Sequence, residues 1–242
     1  MLSIPDEYQI NKKFALKTFL SNKLTPKEKK QFREVVEEVE LSYQITGEGI
    51  PSLIDEEFNC QVILFFSIKI TNLKKASFVG NVIQKLVKPF CVIRFYDYSN
   101  KEIYCFCYKR LNSQDRTQIV IEHMVYSSLA STQFEDKFNL LMNENVGFDK
   151  IQNKSNKLDF YLEMMIKTFI ISNLQLWSGT KQILMSKVWY NRPDMIELYS
   201  QFMRIEQLKK EQKSALTVVQ HSRINGELKR LYSELNRYIG RV

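Results

Sequence analysis

The sequence predicts an α+β fold: a mainly antiparallel sheet with flanking helices, followed by an all-helical C-terminal part that ends in a long helix or helical hairpin. Three observations predict it. Residues 59–125 carry apolar residues at the two-residue period of strands. One helix-period stretch, Leu73, Ala76, Val79, Ile83 and Leu86, interrupts them and stops before Pro89. After Ser127 the apolar period changes to three and four and stays there to Tyr238. An order of strand, strand, helix, strand, strand, strand belongs to the α+β class. The change of period divides the chain into an α+β domain, 1–130, and a helical region, 131–242, carrying a basic amphipathic helix at 194–238.

The elements follow in order. Residues 12–20 form a short helix candidate with Phe14, Leu16 and Phe19 available to pack. Thr25, Pro26 and Glu28 have the spacing of a capping box with proline at the first helical position, and Phe32, Val35, Val36 and Val39 give that helix an apolar face ending near Glu38. Leu41, Tyr43 and Ile45 alternate weakly before the turn formers Gly47, Gly49 and Pro51. Residues 59–70 read as the central strand, because Cys60, Val62, Leu64, Phe66, Ile68 and Ile70 are apolar on one side and Ile63 and Phe65 on the other. Residues 90–96 are a second buried strand. A turn at Ser99-Asn100-Lys101 leads to a strand at 102–109, with Tyr104, Phe106 and Tyr108 on one face and Ile103, Cys105 and Cys107 on the other. Residues 117–125 complete the strands. Helices are expected at 134–142 and about 155–177. Within the final run, Asn225-Gly226 is either a weak spot costing about 1 kcal/mol or the turn of a hairpin.

Composition sets limits. At 242 residues with 44% hydrophobic and 12% aromatic content the chain can bury a substantial core. Its apolar runs fall far short of the roughly 18–20 residues that span a bilayer, so no membrane partner is expected. Asp6 and Glu7 precede any apolar block, which predicts neither a secretory signal nor a transit peptide and hence a cytoplasmic location. Cys60, Cys91, Cys105 and Cys107 all sit in strand-like apolar segments, where reduced cysteine acts as a small hydrophobe, and Cys105 and Cys107 lack the spacing of a metal knuckle. No metal or other cofactor is expected.

No catalytic signature stands out. Seven glycines leave no phosphate-cradling loop. The two histidines are far apart: His123 reads as a core or edge residue beside Ile119, Ile121 and Val125, and His221 lies on the polar tail. A metal-dependent nuclease would need an acid on one strand and an acid, a spacer and a lysine on its neighbour. Ser67-Ile68-Lys69 has serine in the acid position, and Glu211-Gln212-Lys213 lies in a helical context. Asp97, Glu102 and Lys109 are the residues left to cluster at a hairpin. A non-catalytic protein is therefore the first reading and a diverged nuclease the alternative.

Charge points to the tail. Of the formal net charge of +8, five units lie in residues 204–242. The candidate nucleic-acid contacts there are Lys209, Lys210, Lys213, Arg223, Lys229, Arg230 and Arg237, which would touch phosphates with steep salt dependence. Leu228, Leu231, Leu235 and Tyr238 form a seam at helical spacing, the candidate docking face for a protein partner or a second copy of the chain. The same face could instead fold back on its own body.

Several short patches resemble domain-of-unknown-function family 4391. They are Ile4-Pro5, Ile10-Asn11-Lys12-Lys13, residues 61–70, the helix-to-strand junction Ile83-Gln84-Lys85-Leu86-Val87-Lys88-Pro89, Tyr108-Lys109 ending a strand, and Asn225, Glu227, Leu228 and Lys229. The junction departs from the family's usual Ile-Asp-Lys by having Gln84, so no role of that acid carries over. The resemblance implies a context beside helicases and DNA methyltransferases in bacterial restriction or antiphage clusters, and no reaction. The expectation is an accessory or scaffold subunit of such a complex. A helicase or DNA methyltransferase would be its protein partner and DNA or RNA its nucleic acid.

Overall fold

The computed structural model describes residues 2–22 and 24–239, and the chain divides into two compact units, Met1–Phe169 and Ile170–Val242. Among the described residues the first unit holds nine strands: β1 (Gln9–Phe14), β2 (Val36–Ile45), β3 (Leu53–Ile54), β4 (Asn59–Cys60), β5 (Ile63–Ile70), β6 (Phe90–Tyr96), β7 (Lys101–Leu111), β8 (Ile119–Tyr126) and β9 (Ala130–Ser131). Its helices are α1 (Pro26–Val35), α2 (Ala76–Leu86), α3 (Lys137–Asn145) and most of α4 (Lys157–Ser172). The fold class is α+β, as the alternation predicts, with strand giving way to helix just after residue 131.

The main sheet runs β1-β2-β5-β6-β7-β8, with β9 added to β7, while β3 and β4 pair separately. Every pair in it is antiparallel except β5 with β6. That parallel pair requires a crossover, which α2 supplies. As its two-sided apolar pattern predicts, β5 is central, between β2 and β6. On one face Val39, Phe66, Ile68, Ile93 and Phe95 pack with Phe32 of α1 and Val79 and Ile83 of α2. On the other, Tyr161 of α4 sits against Phe90 and Phe106, with ring centroids 5.0 and 5.8 Å away. The Tyr161 hydroxyl accepts from the Cys107 amide at 2.7 Å, so this buried polar atom is satisfied by a strand backbone.

Local expectations meet tertiary pairing at several places. The capping box forms: the Glu28 amide donates to Thr25 Oγ1 at 3.2 Å and the Thr25 amide to Glu28 Oε2 at 2.8 Å. The helix it starts ends at Val35, not Glu38, because Val36 already pairs with Ile70 and Val39 with Ile68 in the sheet. The expected helix at 12–20 is strand β1 followed by a 3-10 turn, Leu16–Phe19, since residues 9–14 find partners on β2. Phe14 and Phe19 still pack, with their rings 5.9 Å apart. The strand expected at 59–70 is two, β4 and β5, and belongs to two sheets. Asp136, which accepts from the Asn139 amide at 2.8 Å, starts α3 three residues later than the apolar pattern suggests. The long helix expected to Trp177 stops at Ser172.

The second unit contains α5 (Thr180–Leu184), α6 (Arg192–Ser214) and α7 (Val218–Ile239). Asn191 caps α6 by accepting from the Asp194 amide. The run expected at 194–238 is a helical hairpin, with its break at residues 215–217 and not at Asn225-Gly226, which lies inside α7. Thr217 decides the position. Its Oγ1 accepts from the Gln220 amide at 3.2 Å, while Gln220 Oε1 accepts from the amides of Leu216 and Thr217 at 2.9 and 3.2 Å. This is a second capping box, threonine with glutamine three residues on, and it satisfies donors that a new helix leaves open. Among the described residues no helix is long and apolar enough to cross a membrane.

Candidate functional site

The hairpin of the second unit carries all of the residues singled out for binding. Arg204 of α6 and Glu227 of α7 form a two-pronged pair at 2.7 and 3.0 Å, and Gln212 Nε2 donates to Asn225 Oδ1 at 2.7 Å. The pairing holds the Glu227 carboxyl below its ordinary pKa, first through the Arg204 hydrogen bonds. Between the helices lies the apolar seam. Leu228, Leu231, Leu235 and Tyr238 are all buried, as are Phe202, Ile205 and Leu208 of α6. The four residues expected to face a partner are thus covered within the chain: their helical spacing demands an apolar surface, and this chain provides it. Arg241, counted with the tail's charge, lies outside the described residues.

The seven basic residues stay on the outside but do not share one face. Arg223, Arg230 and Arg237 recur every seven residues on α7, which aligns them along one edge about 10 Å apart. Arg230 lies 3.6 Å from Glu234 and Arg223 lies 4.0 Å from Glu211. Lys209 and Lys229 instead flank a groove of about 480 Å³ with Tyr232 and Asn236. Lys210 is tied to Glu206 at 2.6 Å. Lys213, Lys229 and Arg237 are exposed and have no ion-pair partner among the described residues. At the hairpin tip Leu216, Val218 and Val219 are 93%, 85% and 78% exposed.

In the first unit, Asp97, Glu102 and Lys109 are not brought together. Asp97 accepts from the Leu73 and Ser99 amides and serves the turn. Glu102 pairs with Arg94 and accepts from the Tyr104 hydroxyl at 3.0 Å. Lys109 stands seven positions along β7 from Glu102, about 23 Å away. No group of three histidine, cysteine or acidic residues suited to a metal occurs among the described residues. His123 is exposed on β8. All four cysteines are buried thiols. Burial raises the thiol pKa values of Cys91, Cys105 and Cys107, the last to about 12, so these three sulfurs stay protonated and weakly nucleophilic.

Lys109 occupies a place that sequence reading missed. It is 1% exposed, and its Nζ donates to Val87 O at 2.8 Å and Gln84 Oε1 at 3.2 Å. Gln84 is therefore its side-chain partner. The missed signal was parity: Ile103, Cys105 and Cys107 face inward, and Lys109 continues their series. Beside it a cavity of about 390 Å³ opens where Asn59 of β4 and residues 61–62 ahead of β5 meet the start of β6, the end of β7 and the start of β8. Lys88, Arg110 and Arg116 join Lys109 in its lining.

The two units together define a class: an α+β protein with a mixed sheet and a basic helical hairpin, lacking an assembled acid cluster among the described residues. The chain belongs to the family described as Domain of unknown function (DUF4391), whose model matches residues 2–235. No curated protein and no solved structure matches it.

Proposed function

We propose that this chain is a non-catalytic accessory subunit of a nucleic-acid-processing assembly of the restriction or antiphage kind, contacting phosphates through the outer surface of its C-terminal hairpin. A helicase or DNA methyltransferase partner would supply motor or methyl-transfer chemistry. The observation that carries the reading is the division of labour on the hairpin. Its apolar seam is filled, while Lys213, Lys229, Arg237 and the arginine edge of α7 point cations outward. Such a surface suits a polyanion and offers little base discrimination.

Each phosphate neutralised on duplex DNA contributes about −0.9 to the slope of log affinity against log salt. Anisotropy titrations of labelled duplex DNA and RNA should show binding at low salt that weakens steeply as salt rises. Replacing Arg223, Arg230 and Arg237 together by alanine should flatten that slope by roughly 2 to 3. No binding to either nucleic acid at low salt, or a slope untouched by the triple substitution, overturns the reading.

A further inference from the structure

We infer that the cavity beside Lys109 is a binding site for a nucleoside 5′-monophosphate group, a ligand with one anionic and one planar apolar end. Its volume of about 390 Å³ lies within the range of small-ligand sites. Its lining is sorted by chemistry. Val62, Pro89, Leu111 and Ile119 give apolar walls, Lys88, Lys109, Arg110 and Arg116 give four cations, and no carboxylate is among the described residues that line it.

The ammonium of Lys109 is the sharpest indication. It is almost fully buried, yet its two acceptors are a glutamine carbonyl and a backbone carbonyl, both neutral. A buried ammonium without a counter-charge is costly, and an anion entering the cavity would supply one. The rim can take part as well. Arg116 spends one guanidinium donor on the Asp55 carbonyl and keeps others, and Lys88 is exposed. Arg110 contributes less, because Glu122 already holds its Nε at 2.6 Å.

The remaining lining suits a heterocycle edge. Gln61 Nε2 donates to Asn59 Oδ1 at 2.9 Å, and both amides line the cavity together with Thr117, whose hydroxyl donates to Asp115 at 2.6 Å and keeps its acceptor capacity. Amide and hydroxyl groups over apolar walls read the polar edge of a base, and the cations hold its phosphate. The inference is independent of the hairpin reading, since either site can fail with the other intact.

Calorimetric titration of the full chain with adenosine and uridine 5′-monophosphates, adenosine, uridine and inorganic phosphate tests it. A monophosphate should bind at least about tenfold tighter than its nucleoside or free phosphate, the gain expected from one charge-assisted contact. Lys88→Ala and Arg116→Ala, both at exposed positions, should each weaken that binding about tenfold with the circular dichroism spectrum unchanged. Lys109→Met should abolish it, and the rim variants decide the matter if that protein does not fold. Competition with a 5′-phosphorylated oligonucleotide, against the same strand ending in a hydroxyl, separates a nucleic-acid terminus from a free nucleotide; either source upholds the site. Absence of monophosphate binding at millimolar concentration, or binding undiminished in the Lys88→Ala/Arg116→Ala double variant, overturns it.

Discussion

Leu235→Ala separates a seam that serves the chain itself from one that serves a partner. Leu235 is fully buried in α7, and the substitution removes three carbons, about 2.4 kcal/mol of transfer free energy before the cavity left behind is counted. A total loss of about 3 kcal/mol follows. Both tryptophans, Trp177 and Trp189, lie in the second unit and are buried there, so their fluorescence reports the melting of that unit. For a unit of this size each kcal/mol moves the midpoint by about 4–8 °C, which puts the expected drop at roughly 12 °C or more. Leu216→Ala at the exposed hairpin tip is the control and should move the midpoint by less than about 4 °C. The wild-type midpoint should also be independent of protein concentration. A Leu235→Ala melt matching that of Leu216→Ala, or a wild-type midpoint that climbs with concentration, would show that the seam is completed by another chain and refute the intramolecular account.

Three further outcomes are expected. Gly226 lies inside α7 with open space where a Cβ would be and without a positive φ, so Gly226→Ala should stabilise the second unit by about 1 kcal/mol; a lowered melting point would return the hairpin turn to Asn225-Gly226. Glu163 and Lys167 form a fully buried pair on α4, and Glu163 also accepts from the amides of Gln152 and Asn153 at 3.0 and 2.7 Å. Glu163→Gln should cost about 3–5 kcal/mol in chemical denaturation because it takes the carboxylate away from a buried ammonium, and adding Lys167→Met should recover part of that loss. The Glu227 carboxyl is held below its ordinary value of 4.5 by Arg204, so its contribution is complete above that pH and disappears as pH falls through the lowered folded value. Tryptophan-monitored stability measured below pH 4.5 should therefore fall less steeply with acid in Glu227→Gln than in wild type.

Much of this architecture was legible residue by residue. The capping box at Thr25, the crossover helix of Ala76, Val79 and Ile83, and the two-sided apolar pattern of Phe65 and Phe66 are local signals, and each produced its element. Other features depended on partners that period does not reveal. Residues 12–14 carry no strand pattern of their own, and β2 makes them a strand by pairing with them. Val36 and Val39 fit a helix face as well as a strand, and the ladder to β5 decided between them. Thr217 and Gln220 did encode the hairpin break. Asn225-Gly226 is the more conspicuous break signal, yet glycine within a helix costs only about 1 kcal/mol, a loss that packing along the seam outweighs.

The candidate sites divide the same way. Composition and spacing alone specified an α+β chain with a cationic, amphipathic C-terminus, because charge and period are properties of the string. They left open where the apolar seam would be buried and which charged side chains would be taken out of water. Tertiary structure filled the seam from α6 and α7. It placed Lys109 against Gln84, 25 residues away, and set three more cations around the same cavity. Burial of a charge depends on what the rest of the chain packs around it, and that is settled only when strands distant in sequence are laid side by side.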